Sequence, residues 1–337
     1  MTSVPPGDII EQAVRSAGRA PSLHNAQPWR WVFEQDRLRL YAVRERMLPG
    51  ADTTGRQMIL GCGIALDHLR VASAALGWRT LVAYLPDPNR RDHLATVRFV
   101  PTRAVTGIDR ERAEAIERRR TNRLPFGAPP HWDDTEAALR TALDPEDAAL
   151  TVLAENCRPA LTHASQLTRA LRRFDSEYQI ELRWWTGHLS DTAGVPPTAL
   201  LTADEQQRVP VGRAFPTTGA EPRHPRIEAD RSRILVLSTP TDGHLDLLRC
   251  GAALSTLLLE CTRSGYATCP LTHLTEFPRS RTVVRNLIEA VGLPQVLVRV
   301  GAVPESADRP PSTPRLPLAD ILHIVERPAD DEPAQAL

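Results

Sequence analysis

A stretch of twenty residues recurs 188 positions further along the chain. Gly61–Thr80 and Arg249–Thr268 agree at seven positions, and both carry an apolar helical pattern that ends at a glycine. Solenoid repeats are much shorter, at about 20–50 residues, so this duplication predicts two related half-domains. A site formed between two copies can lose its symmetry, because one half can keep what the other discards. The identical pairs are Cys62/Cys250, Gly63/Gly251, Ala65/Ala253, Leu66/Leu254, Leu69/Leu257, Gly77/Gly265 and Thr80/Thr268.

The composition excludes several classes of partner and of chemistry. Forty-one basic residues balance forty-one acidic ones, which argues against nucleic acid or an anionic membrane as a partner. Every one of the basic residues is an arginine. Without lysine the chain cannot form a Schiff base with pyridoxal phosphate, build a P-loop or supply a Tyr-x-x-x-Lys reductase site.

The five cysteines form no Cys-x-x-Cys pair, and their number is odd. A reducing, cytoplasmic location is the simplest interpretation. The N-terminal residues carry neither the charged nor the apolar region of a secretion signal, and no apolar run approaches the ~18 residues that span a bilayer. The ten histidines are scattered without metal-ligand spacing, so no metal site is predicted.

Helix and strand patterns are mixed along both halves. An amphipathic helix over Asp8–Ala20 precedes a hairpin over Trp29–Val43, and Met58–Leu76 has the apolar surface of a buried central helix. The second half has its own central helix at Leu245–Ser264. Strands mixed with long buried helices predict an α+β fold. Further predicted elements are strands at Leu81–Tyr84, Ala95–Val100, Ile234–Ser238 and Val296–Val300, helices at Arg112–Arg119 and within Pro159–Trp185, and a strand or helix at Leu318–Val325.

Two short segments are candidate binding elements. Residues 118–123, Arg-Arg-Arg-Thr-Asn-Arg, offer bidentate donors suited to a phosphate, the alternative being a solvated basic surface. Residues 21–29, Pro-Ser-Leu-His-Asn-Ala-Gln-Pro-Trp, hold a hydroxyl, an imidazole and two amides between prolines that stiffen the backbone. Such a turn suits the edge of a planar heteroaromatic ring, the alternative being a capped turn before a strand. Gly61-x-Gly63 has Leu66 in place of the third glycine of a dinucleotide fingerprint, so helix packing explains it better.

These segments resemble the signatures of the flavin-dependent nitroreductases. Residues 21–29 match the P-S-x-x-N-x-Q-P-W turn of that family, and residues 119–123 are similar to its R-x-S-x-R/K stretch, which holds the flavin phosphate. Residues 313–318 look like its C-terminal arm. The tandem organisation and residues 269–276, Cys-Pro-Leu-Thr-His-Leu-Thr-Glu, look closest to the Acg-like branch, in which two halves of one chain mimic the usual homodimer. The resemblance covers roughly residues 8–325.

The resemblance implies a nitroreductase-like α/β/α sandwich in which two tandem half-domains form an intramolecular pseudo-dimer around the central helices. On this basis we expect an N-terminal half at 8–100 and a linker at 101–112. We expect the C-terminal half at 113–325, with a lid-like insertion at about 194–229, and a disordered tail at 328–337.

FMN is the cofactor that the resemblance implies. Only the first half carries the P-S-x-x-N turn and only the second carries the phosphate-binding stretch, so the parts complete one composite site for one FMN per chain. Thr275 and Glu276 match the place that approaches flavin N5, and because N5 carries the chemistry, no side chain is assigned as a certain catalyst. The implied cofactor-binding residues are Ser22, His24, Asn25, Gln27, Arg119, Arg120, Thr121, Arg123, Thr275, Glu276 and Arg315.

The leading hypothesis is an oxidoreductase that transfers hydride through flavin N5 to a small nitroaromatic, quinone-like or specialised substrate, with NAD(P)H as candidate donor. One alternative is a flavin-sequestering, stress-response binding protein with little turnover. Another is a biosynthetic flavin oxidase or dehydrogenase. The stretch 194–229 resembles the lid of the Acg-like branch, which covers the flavin and can limit nicotinamide access. A monomer, as a pseudo-dimer, or a homodimer is expected.

Overall fold

The computed structural model describes residues 4–187, 192–224, 226–289, 291–304 and 312–325. The tail expected at 328–337 and residues 305–311 of the C-terminal arm lie outside the described residues. Within the described ranges the helices are α1 (Gly7–Ala17), α2 (Arg56–Ala75), α3 (Gly107–Arg118), α4 (Trp132–Ala142), α5 (Arg158–Arg172), α6 (Ser176–Gly187), α7 (Ala203–Arg208), α8 (His244–Arg263), α9 (Pro278–Leu287) and α10 (Leu318–Ile321). The strands are β1 (Trp29–Glu34), β2 (Arg37–Ala42), β3 (Trp78–Tyr84), β4 (His93–Pro101), β5 (Ala149–Leu153), β6 (Arg233–Thr239), β7 (Ala267–Leu271), β8 (Leu293–Gly301) and β9 (Leu322–Val325).

Each half forms its own sheet, and the two sheets share the same strand order. The first sheet has the strand order β3-β4-β2-β1-β9, and the second has β5-β6-β8-β7, which is the same order read from the other side with β5 to β8 replacing β1 to β4. In each half the central helix connects the second strand to the third, and this connection is α2 in the first half and α8 in the second. The expected α+β fold, with two tandem halves around central helices, is confirmed.

The central helices α2 and α8 touch through their backbones. A Cβ atom built on Gly63 would lie 2.2 Å from the carbonyl oxygen of Leu248, and one built on Gly251 would lie 2.2 Å from the carbonyl oxygen of Leu60. Both the glycines and the leucines are equivalent pairs in the repeat, so the contact obeys a pseudo-twofold axis, as an isologous dimer interface does. Only glycine lets two helix backbones approach this closely.

Within the described ranges the two halves differ in the segments ahead of their first strands. The helices α1 and α4 correspond, since each precedes the first strand of its half and packs on the central helix of that half. Among the described residues α3 has no counterpart ahead of α1, so the arginine run that follows α3 occurs once. Conversely, eleven residues, 18–28, connect α1 to β1, whereas six residues, 143–148, connect α4 to β5. The long turn therefore also occurs once.

The last strand returns to the first half. The strand β9 lies parallel to β1, with Leu322 opposite Trp31. The arm that leads to β9 passes beside the turn at residues 21–29. There the side-chain amide of Asn25 donates to the carbonyl of Pro314 at 3.0 Å, and Gln27 Oε1 accepts from the amide of Leu316 at 2.9 Å. The C-terminal arm thus fastens the second half onto the first.

The longest departure from the repeat lies between β5 and β6, where residues 154–232 replace the two-residue hairpin turn between β1 and β2. This segment contains α5, α6 and α7. The helices α5 and α9 cover the outer face of the second sheet. The residues at 194–229, called the lid below, include α7. The helix α3 begins at Gly107, inside the segment expected as a linker.

Among the described residues one helix, α2, is long and apolar enough by composition to cross a membrane. Most of that helix is nevertheless buried inside the protein, at 78% of its most apolar 18-residue window. It packs against α1, α3 and α8, which accounts for its apolar surface.

We expect the substitution Gly63→Ala to destabilise the fold by about 1–3 kcal/mol or more, because its methyl group meets a carbonyl oxygen of a second backbone. Gly61→Ala, two residues earlier on the same helix, is the matched control. Its Cβ would lie 3.6 Å from the Cβ of Ser22, an ordinary contact, and alanine favours the helix by up to about 1 kcal/mol. Urea unfolding of both variants measures the difference. Equal stabilities would contradict the role of the glycine contact.

Candidate functional site

Two adjoining cavities lie where the halves meet. The first, called the apolar cavity, has an empty volume of about 990 Å³ including its open mouth, and the second, called the cationic cavity, has about 490 Å³. Pro21, Ser22, Thr121 and Arg123 line both, so they are parts of one site. The apolar cavity is also lined by Leu60, Gly61 and Ile64 of α2, Leu254 of α8 and Leu271 of β7. The cationic cavity is also lined by Arg19, Asn25, Arg119, Arg120, Thr313 and Arg315.

The turn before β1 is conformationally strained. His24, Asn25 and Gln27 have positive φ angles of 47°, 63° and 50°, a region that residues other than glycine rarely adopt. The hydroxyl of Ser22 accepts a hydrogen bond from the amide of Gln27 at 2.9 Å and holds the turn closed. As a result, His24 lines the apolar cavity and Asn25 lines the cationic cavity. Backbone strain of this kind is common at ligand-binding sites.

Eight of the eleven residues expected from the sequence line one or both cavities. The exceptions are Gln27, Thr275 and Glu276. The amide of Gln27 is buried and committed to the chain, because Nε2 donates to the carbonyl of Thr192 at 2.7 Å while Oε1 holds the C-terminal arm. Gln27 therefore fixes the turn and the arm. The eight are Ser22, His24, Asn25, Arg119, Arg120, Thr121, Arg123 and Arg315.

Thr275 and Glu276 line a different cavity, at the N-terminal ends of α2, α8 and α9. The hydroxyl of Thr275 accepts from the guanidinium of Arg56 at 2.9 Å. Leu271 and Thr272, at the end of β7, line the apolar cavity instead. Of the motif at residues 269–276, the first four residues line the apolar cavity, whereas the expected Thr275 and Glu276 line the other one.

Arg119 is the group that most clearly lacks a partner. It is 4% exposed, and neither its Nε nor its Nη1 has a hydrogen-bond partner among the described residues. Burial, then the positive charges of Arg120 and Arg19, lower its pKa to about 10. Burial and the same group of arginines, with Arg119 foremost, lower the pKa of Arg315 to about 9. Arg119 is therefore a buried guanidinium with open donors in a cavity lined by further arginines, a combination that favours an anion.

His24 is a neutral imidazole in the wall of the apolar cavity. Burial, and next the charge of Arg213, hold its pKa well below 6.5. Neither ring nitrogen has a hydrogen-bond partner among the described residues. The ring of Phe215 meets it edge-on at 5.6 Å, and the guanidinium of Arg123 lies 4.9 Å from the centre of the same phenyl ring. A neutral imidazole offers one donor and one acceptor to a bound molecule.

Three further residues of the apolar cavity were not anticipated from the sequence. Gln57 of α2 donates through Nε2 to Glu276 at 3.1 Å, while its Oε1 has no partner among the described residues. Arg213 and Phe215 come from the lid. Gln57 lies before Gly61, where the repeat that predicted α2 begins, so the repeat did not indicate it. The lid residues stand in a segment without sustained periodicity, so no pattern distinguishes them.

The equivalent place beside α8 carries different residues. Arg249 takes the position of Gly61, and Tyr84 takes the position of Thr272. The guanidinium of Arg249 lies 3.8 Å from a carboxylate oxygen of Asp147, which belongs to the short connection that replaces the turn. The two copies of the repeat therefore do not offer the same residues at this place.

Comparison with known proteins gives three full-length relatives from Mycobacterium tuberculosis. A protein named "Putative NAD(P)H nitroreductase acg" is 47% identical over 317 residues, which cover 94% of this chain and 96% of that protein. An uncharacterized protein is 48% identical over 324 residues, covering 95% and 94%. A second protein named as an NAD(P)H nitroreductase is 37% identical over 337 residues, covering 96% and 94%.

Among solved structures, the FMN-dependent nitroreductase NfnB from Mycobacterium smegmatis in complex with NADPH aligns with a TM-score of 0.39 and 16% identity, over 65% of this chain and 100% of that one. No family model matches the chain. The full-length relatives decide the assignment, because identity of 37–48% extends through both halves and the arm. The chain therefore belongs to the nitroreductase family, in the group of tandem-half proteins that includes Acg.

Proposed function

We propose that this protein binds one FMN between its halves and works as a flavin-dependent oxidoreductase with NAD(P)H as electron donor. The observation that carries the proposal is the buried guanidinium of Arg119, whose Nε and Nη1 have no hydrogen-bond partner among the described residues. It lines a cationic cavity that opens directly into an apolar one. FMN has the same two parts, a dianionic phosphate and a flat, largely apolar ring.

The donor set of the cationic cavity suits a phosphate. Arg119 supplies planar, charge-assisted donors, Arg120 and Arg315 add positive charge, and Thr121 supplies a hydroxyl. The cluster is electrostatically unfavourable by itself, since the arginines lower one another's pKa. A dianion would relieve that repulsion. The carbonyls of Gly18 and Arg19 accept from Arg315 at 3.0 Å each and fix its direction.

The apolar cavity suits the ring. Leu60, Ile64 and Leu254 come from the two central helices and form an apolar wall. Ser22 and His24 bring polar atoms to that wall, and the orphan nitrogens of His24 match the donors and acceptors on a flavin edge or a substrate. In this proposal Ser22, His24 and Asn25 hold the cofactor from the first half, while Arg119, Thr121 and Arg315 hold it from the second.

Bound FMN supplies hydride transfer at N5. The chain's own residues position the cofactor, exclude water and provide charge. Because His24 is neutral and buried, it offers hydrogen bonds without titrating near neutral pH. A small nitroaromatic or quinone-like acceptor suits the largely apolar lining of the cavity.

A stoichiometry of one FMN per chain is supported by the residues at the equivalent place. Arg249, Tyr84 and the short connection with Asp147 stand there instead of the glycine, the threonine and the long turn of the first site. The five cysteines are all free, which agrees with the cytoplasmic location that we propose. With its main interface internal, the chain can serve as a monomer.

A second candidate function is flavin storage with little turnover, and the lid favours it. Phe215 packs with Tyr178 and Leu182 of α6 in one apolar cluster over the turn at residues 21–29. Glu276 forms ion pairs with Arg213 of the lid and Arg172 of α5. A lid held in this way would keep a nicotinamide ring away from the flavin.

The first prediction concerns cofactor content. Freshly purified protein is expected to show a flavin absorption spectrum and to release one FMN per chain. Arg119→Gln removes charge-assisted contacts worth ~1.5–3 kcal/mol, so we expect the dissociation constant for FMN to rise about 10–150-fold. Arg118→Gln is the matched control, because Arg118 is exposed at the end of the same helix. Two tightly bound FMN per chain, or full retention in Arg119→Gln, would refute the assignment.

The second prediction separates the two functions. A variant in which a short Gly-Ser connection replaces residues 194–229 is expected to oxidise NADPH faster than the full chain, because its flavin is open to the donor. Flavin content, measured first, serves as the control for folding. Rapid oxidation by the flavin-loaded full chain would favour the oxidoreductase. Negligible oxidation by both flavin-loaded forms would favour storage and would show that the lid is not its cause.

The third prediction concerns pH. Burial opposes ionisation of Glu276, but the charges of Arg213 and then Arg172 overcome it and lower the pKa of the carboxyl from 4.5 to about 2. Its stabilising contribution is therefore complete above pH 4.5 and is lost as the pH falls toward 2. We expect the difference in unfolding free energy between the wild type and Glu276→Gln to be constant above about pH 5 and to shrink below it. A difference that grows on acidification would contradict a stabilising role for the ionised carboxylate of Glu276.

A further inference from the structure

Gln57 brings an unpaired oxygen to the apolar cavity. The residue lies in the first turn of α2, is 5% exposed and lines the cavity wall. Its side-chain oxygen, Oε1, has no hydrogen-bond partner among the described residues. A buried acceptor without a partner costs free energy, and native structures leave few of them. The cavity beside this oxygen is the place from which a donor can come.

The orientation of the Gln57 amide is fixed by its nitrogen. Nε2 donates to Glu276 Oε1 at 3.1 Å and to the carbonyl of Ala51 at 3.2 Å. Turning the amide over would set its oxygen against the same two acceptors, one of them a carboxylate with a pKa of about 2. Ala51 and Glu276 line the cavity at the N-terminal ends of α2, α8 and α9, and not the apolar one. The nitrogen thus lies on the side of that cavity and leaves the oxygen on the apolar side.

The surroundings of Gln57 hold it in place before any ligand binds. Its backbone amide donates to the carboxylate of Asp52 at 3.0 Å, which fixes the start of α2. Glu276 is itself held by ion pairs with Arg172 and Arg213. Main chain and side chain are therefore both anchored. A polar group fixed in this way discriminates between ligands by whether they can pair with it.

Gln57 stands apart from the phosphate end of the site. Ser22, Thr121 and Arg123 line both the apolar and the cationic cavity, whereas Gln57 does not line the cationic one. The cofactor contacts proposed above are made by other residues of the first half, among them Ser22 and His24. They leave the oxygen of Gln57 unused, so it is available to the second molecule that an oxidoreductase must bind.

We propose that Gln57 selects substrates that carry an N–H or O–H group, by accepting a hydrogen bond from that group in the apolar cavity. The inference rests on the proposed function and adds a substrate class to it, namely flat aromatic acceptors with an amide, amino or hydroxyl substituent. A substrate without such a donor leaves Oε1 buried and unpaired, and this penalty is the basis of the selection. Gln57 acts through binding and takes no part in electron transfer.

Two nitroarenes of nearly the same shape test this selection. In para-nitrobenzamide an amino group stands where para-nitroacetophenone has a methyl group, and both keep the carbonyl oxygen. Dissociation constants are measured by titration calorimetry on the flavin-loaded full-length protein without an electron donor, so turnover plays no part. Gln57→Met keeps the length of the side chain and removes the oxygen. We expect the preference for the amide over the ketone to fall about 3–10-fold in this variant.

The ratio of the two constants is the readout, because a general change in the fold would affect both compounds. Gln57→Asn, which withdraws the amide by one methylene, is the second variant and should lower the same ratio. Gln206→Met is the matched control, since Gln206 also lines the apolar cavity but is half-buried and has no buried atom without a partner. Its ratio should equal that of the wild type.

Three results would overturn the inference while the proposed function stands. The first is an unchanged ratio in both Gln57 variants, and the second is an equal fall in Gln206→Met. The third is weaker binding of FMN itself by Gln57→Met with an unchanged ratio, which would assign the oxygen to the cofactor. A wild-type chain that binds no flavin overturns both the inference and the proposed function.

Discussion

The direct backbone contact between α2 and α8 at Gly63 and Gly251 fixes the geometry of the whole molecule. Because the two helices touch without intervening side chains, the halves approach closely enough to share one apolar core. The same helices then diverge from that crossing point and supply Leu60, Ile64 and Leu254 to the wall of the site. Packing and ligand geometry are therefore consequences of one pair of glycines, placed identically in both copies of the repeat.

Duplication inside one chain allowed the two copies to specialise. In a homodimer every change appears twice, so a residue that closes one site closes its partner as well. Here Arg249 and Tyr84 stand where the open site has Gly61 and Thr272. The helix α3 and the turn at residues 21–29 each occur in one half only. The 154–232 insertion likewise has no symmetric counterpart between β1 and β2.

The sequence was informative where local pattern and contact coincide. The repeat predicted both central helices and their pairing, and the arginine run and the strained turn provided seven residues that line the cavities, with Arg315 of the arm as an eighth. It was less informative where a role depends on distant segments. Gln27 lies in the recognisable motif but serves an arm 289 residues away. The sequence led us to expect Glu276 near flavin N5. In the structure its ion-pair partners are Arg172 of α5 and Arg213 of the lid. Short elements such as α4 and β5 carried too little periodicity to be assigned.

The parallel pairing of β9 with β1 has a topological consequence. The end of the second half is woven into the sheet of the first, so neither half is a detachable unit: the N-terminal half alone would expose an edge strand, and the C-terminal half alone would trail an unpaired one. Expressed as separate polypeptides, the two halves would have to restore the pairing of β9 with β1 between chains in order to complete the first sheet.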